Sequence, residues 1–536
     1  MKFNTQKYRQ LELFIKTEPG KTGTIYMVSG SVRKIMRITQ YRKWMKIAVT
    51  QGTTYELTLE DCEISYAYLS DCEQMMDRGI CLIEGETLYE KPDMKAWYDT
   101  PNRSQYHFMS PKGYMGHPCG FCFYRNYYHL FYLFNPFSEE PDEIYWGHAV
   151  SKDLIRWVHL PVCMEPQKEI LDTPQLTGGV FGGHAFIDEE QKLRLFFTRH
   201  ISKRKYPEEL LEYQVMTESW DGVHFERETT LIPKPDEEIE ERFCDPNVFK
   251  ENNEYKMLLG TRIHSCPAVV LYKSTNVSHW IYEGSVFHGR GDFLPESPDL
   301  FRLDGKYVLT VTYSGYKDEV GRVNPSYYHI GEWVEDRFYE ETKGMYDFGG
   351  ELGGIHSIET KEGKTVIGCI GGTGGIVSIP RVIHLKDNRL YQNPVRTVYN
   401  LMQETIYKGT EKNVNLENIR GNCYHVVLKL QKASDFRMTL YKWKNRKLYL
   451  EQKDGNIRFH TVGMGAKNMF CPADINGATE VEIFVDRNVC EVYLNGGQSA
   501  GTKKFSQNSE AGNFELHVSA EGEVEQLTVE KMKNIW

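Results

Sequence analysis

The sequence predicts an all-β chain: a five-bladed β-propeller with a β-rich module before it and a β-sandwich after it. Three observations carry this. Helical periodicity is scarce, while short runs of Val, Ile, Tyr and Phe broken by Gly, Asn and Asp are frequent. One two-strand unit recurs five times in the middle of the chain. The flanking segments alternate polar and apolar residues with period two.

The N-terminal segment, residues 1–97, contains alternating stretches such as TGTIYMV and TTYELTL. It is expected to be an accessory β module without chemistry of its own. Residues 98–400 hold the repeats. The first copy begins at His117 (HPCGFCFYRNYYHLFYLF) and the second at Gly182 (GGHAFIDEEQKLRLFFT). The third begins at Asp245 (DPNVFKENNEYKMLLGT) and the fourth at Ser297 (SPDLFRLDGKYVLTVTY). The fifth, GGIHSIETKEGKTVIGCI, starts one residue ahead of its equivalent position, Gly354. The spacing, roughly 50 to 65 residues, suits a four-stranded blade with its loops. Residues 401–536 include HVVLKLQ, RFHTVGM and EVEIFVDRNVCEVYLNGG, which fit a sandwich.

In a propeller the innermost strand of each blade starts near the axis, so equivalent residues should meet at one pocket. Aligning Phe121, Phe186, Phe249, Phe301 and Ile358 sets the register. The starting row is then His117, Gly182, Asp245, Ser297 and Gly354. Two residues on, on the same strand face, lie Cys119, His184, Asn247, Asp299 and His356. One residue before the start lie Gly116, Phe181, Cys244, Glu296 and Gly353. Polar and ionisable residues crowd these rows.

The formal net charge of -10 argues against nucleic acid or an anionic membrane as partner. No apolar run is long enough to span a membrane, and the N-terminus does not read as a signal peptide. A cytoplasmic setting is expected. The 12 Cys show neither CxxC pairs nor scaffold spacing, and Cys62, Cys81, Cys369 and Cys490 read as small buried residues. The acidic run DEEIEERF before Cys244 reads as a solvated loop. His107, Trp157 and His159 read as structural.

From residue 104 onward the ordered motifs resemble glycoside hydrolase family 32, the invertases, levanases and inulinases. They are SQYHFMSPKGYMGHPCGFCFYRNYYHLFYLFNP, WGHAVSKDLIRWVHLPVCMEP, FCDPNVF, LPESPDLF, SIPRVIHLKDNRLYQNPV and EIFVDRNVCEVYLNGG. The N-terminal segment lies outside the resemblance. The resemblance implies cleavage or transfer of a furanosyl, fructosyl-type group from a small carbohydrate, with a Glu acid/base, an Asp nucleophile and a second Asp on the sugar hydroxyls. Such retaining chemistry needs two carboxyls about 5 Å apart. Glu296 matches the acid/base and Asp245 the stabilising Asp. Trp146, Gly147 and His148 match the family's Trp-Gly-His element. With Phe181, His184 and Asp299, Trp146 and His148 are the expected substrate-binding residues.

The departures are grouped. The nucleophile motif reads Gly116-His117-Pro118-Cys119-Gly120, which puts His117 at the nucleophile position. Cys244 stands for the Arg of Arg-Asp-Pro, Gly182-Gly183-His184 for Ser-Gly-Ser, Leu133 for a Gln and Ser297 for the Cys of Glu-Cys-Pro. Three readings follow. Catalysis continues with Glu296 as acid, Asp245 as the remaining carboxylate and His117 as base or nucleophile. Alternatively His117, Cys119, His184 and Cys244 form a zinc site, since the changes run toward soft ligands. The third reading is a catalytically inactive sugar-binding or regulatory relic of a fructosidase. The accessory sheets offer surfaces for a homo-oligomer.

Overall fold

The structure is a computed structural model. It describes residues 1–289, 291–371, 375–463, 469–505 and 511–536, apart from the side chains at 240, 241, 420, 469 and 511. Strands dominate. Two N-terminal sheets come first; one contains Gly23–Ser29 and Thr54–Glu60, and the other is built around Gln10–Thr17 and Cys62–Ser70. Phe14 and Tyr66 of the second sheet pack on Phe134, Phe137 and Tyr145 of the first blade, so the N-terminal sheets share an aromatic core with the propeller.

Five blades follow. Their inner strands are Tyr114–Tyr124, Leu176–Ile187, Ile239–Glu251, Leu294–Leu303 and Leu352–Thr360. Each packs against the next, and the fifth packs against the first, which closes the ring. Each inner strand carries an irregularity at the same place: between 115 and 118, 180 and 183, 244 and 247, 296 and 299, and 353 and 356. A bulge bends a strand and re-aims its side chains. Here the five bulges fall on the starting row, where Asp245 (φ 60°), Ser297 (φ 50°) and Gly354 (φ 60°) take left-handed backbone.

The third inner strand corrects one expectation. The run DEEIEERF is a loop only as far as Glu238; strand begins at Ile239. The C-terminal region forms two six-stranded sheets. HVVLKLQ falls largely in Cys423–Leu430, and the last long motif spans Glu480–Asp486 and Val489–Leu494. Of RFHTVGM, Arg458 to Val462 is strand, and residue 464 lies outside the described residues.

Buried charge joins the sandwich to the propeller. His107 Nδ1 meets Asp486 Oδ2 at 2.9 Å, and its Nε2 meets Glu491 Oε1 at 3.1 Å. Glu491 also accepts from Arg381 at 2.7 Å. Burial opposes the charged imidazole, but bonds to the two carboxylates outweigh it and raise His107 to about 9. Burial likewise opposes the Glu491 charge, yet Arg381 and His107 bring it down to about 2. The His107 contribution to stability is fully present below its ordinary 6.5 and is lost as pH rises through about 9. The Glu491 contribution is present above 4.5 and is lost as pH falls through about 2. Thermal unfolding should therefore show this cluster's contribution at its fullest between pH 4.5 and 6.5. His107→Ala should remove about 3–5 kcal/mol, the cost of stranding a buried charge.

The 12 cysteines are all free. Cys81, Cys369 and Cys490 are buried as expected, whereas Cys62 is only half-buried. Trp157 and His159 are packed inside, and His159 stacks in a column with Tyr98 and Trp536.

Candidate active site

The starting row converges. A Cβ built on Gly182 would lie 2.1 Å from Asp245 Oδ1 and 3.1 Å from His117 Cε1. One on Gly354 would lie 2.4 Å from the His117 Cβ. Only glycine leaves room for the imidazole and the carboxylate to meet there. Ser297 fixes the other carboxylate oxygen, donating to Asp245 Oδ2 from its amide at 2.9 Å and its hydroxyl at 3.2 Å.

His117 and Glu296 line one cavity of about 460 Å³, together with Tyr114, Thr312, Glu351 and Gly354. His117 Nδ1 lies 2.8 Å from the Pro118 carbonyl oxygen. A carbonyl only accepts, so Nδ1 carries a proton and Nε2 is the nitrogen left for chemistry. Burial raises the Glu296 carboxyl above the ordinary carboxylate range; the Arg242 guanidinium opposes this and the Asp245 carboxylate adds to it. A carboxyl whose proton is held more tightly than usual beside a cavity suits a general acid.

The row two residues on forms a deeper layer. Asp299 accepts from Asn247 Nδ2 at 3.1 Å and from the Ser357 amide at 2.8 Å, and burial pushes it up to about 6. Burial brings His184 down to about 4. Burial, then His184 and His117, bring His356 down to about 3. Neutral His184 accepts from the Val248 amide at 3.4 Å.

Two expected substrate-binding residues lie elsewhere. Trp146 is fully buried and donates from Nε1 to the Phe181 carbonyl at 3.0 Å. His148 is buried against Phe131 and bonded to His129 at 3.0 Å. Every residue of their strand, Glu143–Ser151, is buried, so similarity to a family element did not tell cavity from core there. Phe181 is stacked on His200 at 4.2 Å with the Arg242 guanidinium 5.9 Å above it.

The zinc set is not assembled. Among the described residues no three His, Cys, Asp or Glu side chains come together to hold a metal. Cys119 Sγ points back to the His117 carbonyl at 3.3 Å, and Cys244 Sγ accepts from Arg242 at 3.7 Å. Burial, reinforced by Asp245, pushes both thiols up, away from the thiolate that zinc takes.

Sequence reasoning missed Arg242. Its Nε lies 2.8 Å from Glu212 Oε1 and its Nη2 lies 3.6 Å from Glu296 Oε1. The signal was available: Arg242 stands two residues before Cys244, and residues two apart share a strand face. Reading the acidic run as loop hid it.

An all-β propeller with two carboxyl groups and an imidazole converging at its axis is an architecture suited to a glycosidase. The chain belongs to glycoside hydrolase family 32: the family's profile, "Glycosyl hydrolases family 32 N-terminal domain", matches residues 107–394. The chain is 28% identical over 448 residues to the sucrose-6-phosphate hydrolase of Zymomonas mobilis, covering 75% of this chain and 85% of that protein. It is 25% identical over 510 residues to the levanase of Bacillus subtilis, covering 82% and 72%. A solved family 32 glycoside hydrolase from Bifidobacterium adolescentis superposes with a TM-score of 0.92 at 26% identity, covering 100% of this chain and 99% of that one. The N-terminal sheets, outside the sequence resemblance, therefore fall within the structural one.

Proposed function

We propose that this protein hydrolyses or transfers a fructosyl-type furanosyl group with Glu296 as acid, Asp245 as charge stabiliser and His117 as base. The observation that carries this reading is the meeting of His117 and Glu296 at one cavity wall, with the Asp245 carboxylate beside His117. The names of the relatives, sucrose-6-phosphate hydrolase and levanase, support fructosyl sugars as the class.

Glu296 gives its proton to the leaving oxygen as the glycosidic bond breaks. Positive charge grows on the sugar, and Asp245, pinned through one oxygen by Ser297, stabilises it. Water adds to the anomeric carbon and its proton passes to His117 Nε2. The proton then returns through solvent to the Glu296 carboxylate. Water in the role of nucleophile gives inversion; direct attack by imidazole would leave a cation on the sugar-bound ring. The free cysteines support a cytoplasmic setting.

A panel of furanosides tests the reading by product release. Turnover of β-fructofuranosides above arabinofuranosides and pyranosides is expected. Tight fructoside binding without release by the native protein would favour the inactive relic.

A further inference from the structure

Arg242 is built into an unusual place. It lies on the third inner strand with φ 31°, a left-handed backbone that disfavours any side chain. The strand is irregular just before it, between Ile239 and Glu241, and across it, between Glu241 and Cys244. Strain of this kind persists only where surrounding contacts over-determine it. Those contacts are present. Glu212 is buried, bonded to His200 at 2.7 Å and to the Phe243 amide at 2.5 Å, and its Oε1 forms an ion pair with the Arg242 guanidinium, 2.8 Å from Nε. Phe181 lies under the guanidinium and stacks in turn on His200. The far edge of the guanidinium then faces Glu296 at 3.6 Å.

Other groups also face Glu296. Asp245 and Cys244 come from Arg242's own strand, and His117 and Tyr114 come from the first blade. Ser314 stands beside the carboxyl from the fourth blade. Arg322 and Glu351 stand on the cavity wall, where Arg322 is already committed to Asp318 and the Phe348 carbonyl. Arg242 is the cation held directly against the acid by a dedicated anchor.

We propose that Arg242, clamped from behind by Glu212, is a positioning residue that holds the Glu296 carboxyl at the cavity and governs when that acid releases its proton. This rests on the reading of Glu296 as the acid. The guanidinium stabilises the carboxylate that remains once the proton has gone to the leaving oxygen. Without it the acid holds its proton to higher pH and gives it up less readily. A lysine keeps the charge, but its single ammonium cannot span Glu212 and Glu296 as the planar fork does.

The test is the pH profile of kcat/KM on an alkyl β-D-fructofuranoside for the native protein, R242M, R242K and E296Q. For R242M the alkaline limb should move up by about one pH unit or more, with lower kcat. For R242K the limb should stay near native while kcat falls several-fold. A lowered kcat in R242M with an unmoved limb overturns the proposal, because a merely structural role predicts that result. If R242M does not fold, R242K decides: native limb and native kcat together overturn it. E296Q separates the two ideas. If E296Q keeps native turnover, the reading of Glu296 has failed; if E296Q is dead and R242M is unshifted, only the role of Arg242 has failed.

Discussion

Glu296→Gln is expected to lower turnover of an alkyl β-fructofuranoside by about 10²–10⁴-fold, the usual worth of a positioned general acid. The amide fills the same volume on the same strand but has no proton to give. The loss should shrink with a nitrophenyl leaving group, which departs without protonation. The contrast separates a missing acid from a damaged pocket. Burial and Asp245 disfavour the Glu296 charge more than Arg242 favours it, so the neutral amide should leave thermal unfolding near native. A variant that unfolds early, or that loses both substrates equally, would speak against the acid role.

His117→Ala is expected to lose about 10²–10⁴-fold as well, for a different reason. The proposed base has its Nδ1 tied to Pro118, which leaves Nε2 to take the proton from water. Without it water attacks unassisted. Azide needs no base, so it should restore turnover and trap the fructosyl group as an azide. Proton NMR of the first sugar released by the native protein should show inversion. His117→Asp supplies a carboxylate at that position and should turn the outcome toward retention. Native turnover in the alanine variant would remove His117 from the mechanism, and retention by the native protein would make it a nucleophile.

Much of the pocket was legible because the fold is a repeat. Once five similar strands share a register, equivalent positions must face one axis, and His117, Asp245 and Glu296 follow from counting. The same counting could not see which way a side chain turns at a bulge. Cys119 shares a row with His184 and Asp299, yet its sulfur folds back onto the His117 carbonyl. A ligand set read from rows alone therefore fails in space.

Trp146 and His148 failed differently. Their strand is buried throughout, so no alternation marks a cavity-facing side. Arg242 was hidden by its acidic neighbours, although its partners Glu212 and Glu296 both lie far along the chain. The His107 cluster binds residues 379 and 384 positions apart, and no local pattern predicts such pairing. Long-range electrostatic partners are set by how sheets dock, which period and propensity do not encode.

A crystal structure of Glu296→Gln soaked with a β-D-fructofuranoside tests the central claim most directly. The furanose ring is expected in the cavity lined by the first, fourth and fifth blades. The glycosidic oxygen should lie within hydrogen-bond reach of the side chain at 296, with the anomeric carbon toward His117 and Asp245. A sugar bound elsewhere, or one whose leaving oxygen points away from position 296, would contradict it.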